Sequence, residues 1–199
     1  MPEVMPCAAY YGNTEKKAFP LLLVLGREYN NSGRVGSTVG KYDFDESHGS
    51  TFWNRTYSLI ARACPEVGNF KQRCIGLDLS PVVFSNVSPQ PILNKDNTKH
   101  VIRAGISPTL ISDHLLQVFA QPIIKRVEAV LFSVGTESSF ADARDLVRSK
   151  CSARTMHFID LPYLGARFSN RVVDTALSAE GRSVIRRVVT QFFSSTNEG

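Results

Sequence analysis

The sequence predicts an α/β fold, a three-layer α/β/α sandwich around a central, mainly parallel four-stranded sheet. Four short apolar runs, at residues 19–26, 81–87, 129–135 and 155–162, alternate with stretches whose apolar residues recur at helical spacing. Strands separated by helices imply a parallel sheet with helices on both faces. The chain has 199 residues, 43% hydrophobic and 21% charged, the balance of one globular domain with a full core. A single domain over 1–199 is expected, with its core at about 19–193.

After a polar leader, Phe19-Pro20-Leu21-Leu22-Leu23-Val24-Leu25-Gly26 is a continuous apolar run ending in Gly, the form of a strand buried on both faces. Residues 27–44 are rich in Gly, Asn and Ser and read as a long loop. A helix follows from Ser50 to Ala63, with Phe52, Trp53, Tyr57, Leu59, Ile60 and Ala63 at helical spacing, Ser50 or Thr51 as N-cap and Pro65 as its stop. The spacing assigns Phe52 and Trp53 to core packing.

Pro81 to Val87 is a second buried strand, followed by a Pro- and Asn-rich loop through Lys99. Ser107-Pro108 opens an amphipathic helix carrying Leu110, Ile111, Leu115, Val118 and Phe119, with Pro122 set to break or kink it. Ala129 to Gly135 is a third strand, Ser138 to Lys150 a helix, and Thr155 to Pro162 a fourth strand. The last helix spans about Ala179 to Phe193, with Arg182, Arg186 and Arg187 on a solvated face and a frayed tail STNEG.

The formal charge of +5 and pI near 9.1 suit a polyanionic partner, because Lys and Arg that meet phosphates displace condensed counterions. Cys7, Cys64, Cys74 and Cys151 form no C-x-x-C pair, so reduced thiols are expected rather than a disulfide framework or a metal centre. No run approaches the roughly 18 apolar residues needed to span a bilayer, and the start MPEVMPCAAYYGNTEKK lacks the basic-then-apolar order of a secretion signal. A soluble, intracellular monomer with no membrane partner is expected.

The common phosphate motifs are missing: there is no G-x-x-x-x-G-K-[ST], and glycines at 26, 33, 36 and 40 do not form G-x-G-x-x-G. There is no G-x-S-x-G or H-E-x-x-H, and His48, His100, His114 and His157 are scattered without metal-ligand spacing. What remains is a polar cluster at the carboxyl ends of three strands: Glu28 after the first, Asn86 at the end of the second, and Leu161-Pro162-Tyr163 after the fourth. In open α/β sheets ligands bind at that end, and a long loop in a compact domain is more often functional than idle.

In order and spacing these segments resemble the uracil-DNA glycosylase superfamily. Leu25-Gly26-Arg27-Glu28-Tyr29-Asn30 is similar to the family's G-Q-D-P-Y, G-E-A-P or G-I-N-P-G motif, and Tyr42 or Phe44 followed by Thr51-Phe52-Trp53-Asn54-Arg55-Thr56-Tyr57 to its stacking aromatic and F-W helix. Phe84-Ser85-Asn86-Val87 is similar to the strand ending in a base-reading Asn, and Leu161-Pro162-Tyr163-Leu164-Gly165-Ala166 partly to H-P-S-P or L-P-N-P-S. The resemblance covers about Leu21 to Arg171 and is nearest to the mismatch-specific uracil/thymine branch. The chain departs from it in carrying Glu28 without the motif Pro, and Leu161 where the more active branches carry His.

The resemblance implies a DNA repair glycosylase that flips out uracil or a related deaminated base and hydrolyses its N-glycosidic bond, with no metal or cofactor. Bond cleavage puts positive charge on the deoxyribose and negative charge on the base, so Glu28 would stabilise the sugar and orient or deprotonate water, with Asn30 or Asn31 positioning water if Glu28 does not. Asn86 offers one donor and one acceptor to the uracil edge. Tyr42 or Phe44 would replace lost stacking, while Tyr29 and the Gly-rich 33–40 stretch line the pocket or meet phosphates. Tyr163, Leu164 and Gly165, with Arg167 and Arg171, would wedge into the duplex and grip phosphate. Two alternatives stand beside this: a catalytically weak damaged-DNA-binding protein of the same fold, and a hydrolase of free nucleosides or other small molecules.

Overall fold

The computed structural model describes residues 9–12, 20–27, 29–30, 51–88, 91–92, 107–135, 140–165 and 170–196. Its strands are β1 (Ala9–Gly12), β2 (Leu22–Gly26), β3 (Tyr29–Asn30), β4 (Leu79–Asn86), β5 (Pro91–Ile92), β6 (Ala129–Phe132) and β7 (His157–Asp160). Its helices are α1 (Thr51–Ala63), α2 (Phe70–Leu77), α3 (Pro108–Ala120), α4 (Ala141–Ala153), α5 (Asn170–Ala176) and α6 (Ala179–Ser195).

The main sheet has the order β1-β4-β2-β6-β7. The last four of these strands are parallel: Leu22 lies opposite Val82 on one side and Ala129 on the other, and Ala129 opposite His157. The expected parallel four-stranded sheet is therefore present, with one addition. The leader contributes β1, which pairs antiparallel on β4 with a register shift between Tyr10 and Gly12. β3 and β5 form a separate two-residue parallel pair, Tyr29 opposite Pro91 and Asn30 opposite Ile92, inside stretches expected to be loop.

Leu22, Leu23, Val24 and Leu25 are all fully buried. Side chains alternate along a strand, so Leu22 and Val24 face one apolar cluster with Tyr57, Ile60, Phe70, Val188 and Phe193, while Leu23 and Leu25 face another with Leu115, Val118, Phe140 and Val147. Helices α1, α2 and α6 cover the first face, α3 and α4 the second, giving the three layers that the apolar runs predict.

Local chemistry sets the helix boundaries. Asn69 caps α2 by accepting from the Gln72 N–H at 3.2 Å, and Ser178 caps α6 by accepting from the Gly181 N–H at 2.9 Å. Pro122 lacks the N–H a continuing helix would need, and α3 stops at Ala120 before a 3₁₀ turn over Pro122–Ile124. Helix α4 begins three residues later than expected and runs on to Ala153. α6 enters the tail as far as Ser195, where the Thr196 hydroxyl donates to the Phe193 carbonyl at 3.1 Å.

The arginines of α6, Arg182 half-buried and Arg186 and Arg187 exposed, are not idle. Arg186 Nε lies 2.6 Å from Glu66 Oε1 and Arg187 Nη1 3.0 Å from Glu128 Oε2, while Arg182 Nη2 donates to the Asp174 carbonyl at 3.4 Å. The hydrogen bond from Arg186 holds the Glu66 carboxyl below its ordinary pKa. Water screens such surface pairs, so apolar burial dominates the docking of α6. Phe193 is 1% exposed and meets Phe70 and Phe192 edge to face at centroid distances of 5.9 and 5.4 Å. Phe193→Ala is expected to lower unfolding stability by about 3–5 kcal/mol, read as a lower urea midpoint with an unchanged slope.

Candidate functional site

The chain leaves β2 for the face of α1 but leaves β4 and β6 for the opposite face, that of α3 and α4. Diverging exits leave a crevice outside the carboxyl edge of the sheet. Gly26 ends β2 and Arg27 follows it, Asn86 ends β4, Ser133-Val134-Gly135 follows β6 and Leu161 to Gly165 follows β7.

Gly26 lies opposite Asn86 in the ladder, and pairing continues past the strands through Val87 N–H to the Gly26 carbonyl and Ser88 N–H to the Arg27 carbonyl, both 2.9 Å. A β-carbon at position 26 would fall 2.9 Å from Asn86 Oδ1 and 3.2 Å from Phe52 Cζ. Glycine is what allows the amide and the ring to close over this strand end.

The main chain of Asn86 is held from the α3 side, where His114 Nε2 lies 2.9 Å from its carbonyl oxygen. A carbonyl only accepts, so Nε2 carries the proton and donates. His114 is 6% exposed; burial pushes its pKa below 6.5, a shift the hydrogen bond to Asn86 opposes.

The opposite wall is aromatic and cationic. Phe52 packs on Tyr163 at a centroid distance of 6.2 Å and edge-on to Phe84 at 6.4 Å. The Arg27 guanidinium carbon sits 4.2 Å from the Tyr163 ring centroid, within cation–π range, and Arg27 Nε donates to the Val134 carbonyl at 2.7 Å. Gly135 has φ of +77°, and a β-carbon there would come within 3.1 Å of Arg27 Nη2. A β-carbon on Gly165 would collide with the Tyr163 ring at 2.5 Å, so that glycine leaves room for the ring to fold back.

The loops after β6 and β7 are joined by one buried hydroxyl. Ser133 Oγ donates to the Pro162 carbonyl at 3.1 Å and accepts from the Leu164 N–H at 2.9 Å. Beside it, Arg144 Nη2 donates to the Gly135 carbonyl. Arg144 Nε lies 3.0 Å from Asp160 Oδ2 as an ion pair but outside hydrogen-bond geometry, so charge rather than direction holds that contact.

Of the residues expected at the site, Asn86 shares the space over Gly26 with Phe52, Tyr163 packs on Phe52, and Gly165 lies against the Tyr163 ring. Tyr29 and Asn30 are placed by their backbone in β3, and Arg171 by its backbone in α5. Glu28, Asn31, residues 33–40, Tyr42, Phe44 and Arg167 lie outside the described residues.

Leu164 requires a correction. It is fully buried in the cluster under α1 and α6, so its side chain anchors the loop and does not present a wedge to a duplex. Leu161 is likewise core, 2% exposed. Phe52, expected as core, packs on Phe84 and also meets Tyr163. Arg27, Ser133, Gly135 and His114 were not singled out in the sequence. A glycine straight after the third apolar strand was the one local signal, since a positive φ there favours Gly.

Burial pushes the thiols of Cys64 and Cys74 up to about 12 and that of Cys151 up to about 11, which leaves them poor nucleophiles. Among the described residues, no three or more His, Cys, Asp or Glu side chains group to hold a metal ion. A separate cleft of about 270 Å³ lies outside β7, lined by His157, Asp160, Ser178 and Glu180 among others.

The neutral His114 has a consequence for pH. Because its folded pKa is lowered, the unfolded chain takes up the proton first as pH falls through 6.5, so its share of stability is complete above 6.5 and declines below it. Urea midpoints from pH 7 to about 5 should fall in the native chain and change less in His114→Gln. An equal slope in both would exclude His114 as the source.

Set against known proteins, the chain matches no family model and no curated protein.

Proposed function

We propose that the protein is a DNA repair glycosylase that receives a flipped uracil or related deaminated base in the crevice and hydrolyses its N-glycosidic bond, leaving an abasic site. The observation that carries this reading is the side-chain amide of Asn86 beside Gly26 and the Phe52 ring, at the carboxyl edge of a parallel sheet. An amide that offers donor and acceptor together, next to aromatic faces, suits a flat polar ring removed from its stack.

In this reading Asn86 reads the O4 and N3–H edge, and Glu28 stabilises the developing sugar cation and orients water, with Asn30 beside it. Tyr29 and either Tyr42 or Phe44 complete the base pocket. Tyr163, Gly165, Arg167 and Arg171 meet the DNA backbone, the arginines as phosphate partners. A flipped base costs a few kcal/mol of lost stacking and pairing, and about 1–3 kcal/mol per base returns from an aromatic contact.

A second reading, a damaged-DNA binder with weak catalysis, is favoured by Leu161. A leucine packed in the core offers no imidazole to the departing base, so leaving-group charge would fall to Asn86 and main-chain donors.

Oligonucleotides bearing uracil, hypoxanthine, xanthine or a G·T mismatch, treated with alkali after incubation, test both. Alkali-labile product is expected at uracil. Glu28→Gln should slow single-turnover excision by about 10²–10⁴-fold, and Asn86→Ala should lower kcat/KM by about 10–100-fold, the discrimination expected of one bidentate base contact. Tight binding with no product selects the second reading, and neither binding nor product sinks both.

A further inference from the structure

We infer that Ser133 is a positioning residue: its buried hydroxyl sets the loop after β7 so that Tyr163 packs on Phe52 and under the Arg27 guanidinium at the carboxyl edge of the sheet. What the crevice binds rests on the function proposed above; the positioning itself does not.

Ser133 is 0% exposed, and its hydroxyl uses both its donor and its acceptor on the same loop, one residue on either side of Tyr163. The Pro162 carbonyl receives the proton and the Leu164 N–H supplies one, so the two peptide units flanking Tyr163 are both fixed. Leu164 and Leu161 bury their side chains on the core side, which turns the residue between the two hydrogen bonds toward the crevice. There the ring meets Phe52 at 6.2 Å and the Arg27 guanidinium at 4.2 Å. Arg27 is in turn tied by Nε to the carbonyl of Val134, the residue after Ser133. Gly135 approaches both Arg27 and Tyr163. Three consecutive residues after β6 therefore set the relation between the end of β2 and the loop after β7.

Removing the hydroxyl would leave the buried Leu164 N–H and the partly buried Pro162 carbonyl without this partner, a penalty that favours local opening of the loop. A buried serine that only filled space would not change the placement of Tyr163.

The test has two arms. In the first, backbone amide exchange is followed in Ser133→Ala. The Leu164 N–H is expected to exchange about tenfold faster, while amides in α6 keep their rates. Should Ser133→Ala fail to fold, Ser133→Cys keeps the shape with a weaker donor and should give a smaller rise. An unchanged Leu164 rate in the variant that folds overturns the inference.

The second arm measures the Kd for a uracil-bearing oligonucleotide by fluorescence anisotropy in the native chain, Ser133→Ala, Tyr163→Leu and the double variant. Each single variant should weaken binding by about tenfold, and the double variant no further than either, because Ser133 acts through Tyr163. Additive losses would overturn the inference. If the native chain does not bind the oligonucleotide, the proposed function fails while the exchange arm still decides the role of Ser133.

Discussion

Leu22, Leu23, Val24 and Leu25 are each withdrawn fully from water, and the rest of the structure follows from covering both sides of that strand. A strand apolar at every position cannot lie at a solvated face. Two helical layers are required, one carrying α1, α2 and α6 and the other α3 and α4. In this chain β2 leads to the α1 face while its neighbours β4 and β6 lead to the face of α3 and α4, and the carboxyl edge where connections diverge is where an open sheet forms a crevice.

That crevice is assembled almost wholly from main-chain geometry. The parallel register brings Asn86 opposite Gly26, the missing side chain at 26 lets the amide and Phe52 close in, and His114 grips the Asn86 carbonyl from below. On the other side, carbonyls at Val134, Gly135 and Pro162 accept from Arg27, Arg144 and Ser133. Buried polar groups are costly unless paired, so satisfying these carbonyls is what orders the loops. The side chains that face the crevice inherit their positions from that order.

The strands were legible in the sequence because burial on both faces writes itself as an unbroken apolar run, and so was the end of the sheet at which polar residues gather. Helix α2 was not: of its eight residues only Phe70 and Cys74 are buried, too few to mark a period. β1 was hidden in a short leader, since its pairing depends on β4, far along the chain. The site divided in the same way. Asn86 could be picked out because it ends an apolar strand, whereas Ser133 looks like the tail of another strand. Its partners lie 29 and 31 residues away, and no local pattern reveals a contact of that range. Leu164 misled for the opposite reason: a leucine among Tyr, Gly and Arg in a loop looks like an exposed wedge, and only the packing shows it turned inward.

Leu161 bears most directly on how fast the proposed chemistry could run. Its side chain belongs to the apolar cluster beneath α1 and α6, while its N–H donates to the Phe132 carbonyl at 2.9 Å, extending the β6–β7 ladder by one residue. With the backbone held by that bond, the side chain at 161 is directed into the core. An imidazole in its place would enter apolar surroundings, which penalise its charged form. In the proposed reaction, any imidazole reaching the departing base would have to come from another segment, and stabilisation of the leaving group would fall to the Asn86 amide and the backbone N–H groups around the crevice. Those donors are neutral, and a neutral hydrogen bond to an oxyanion is worth less than a charged one. The geometry at this one position therefore bears on both proposed readings, a slow enzyme or a binder.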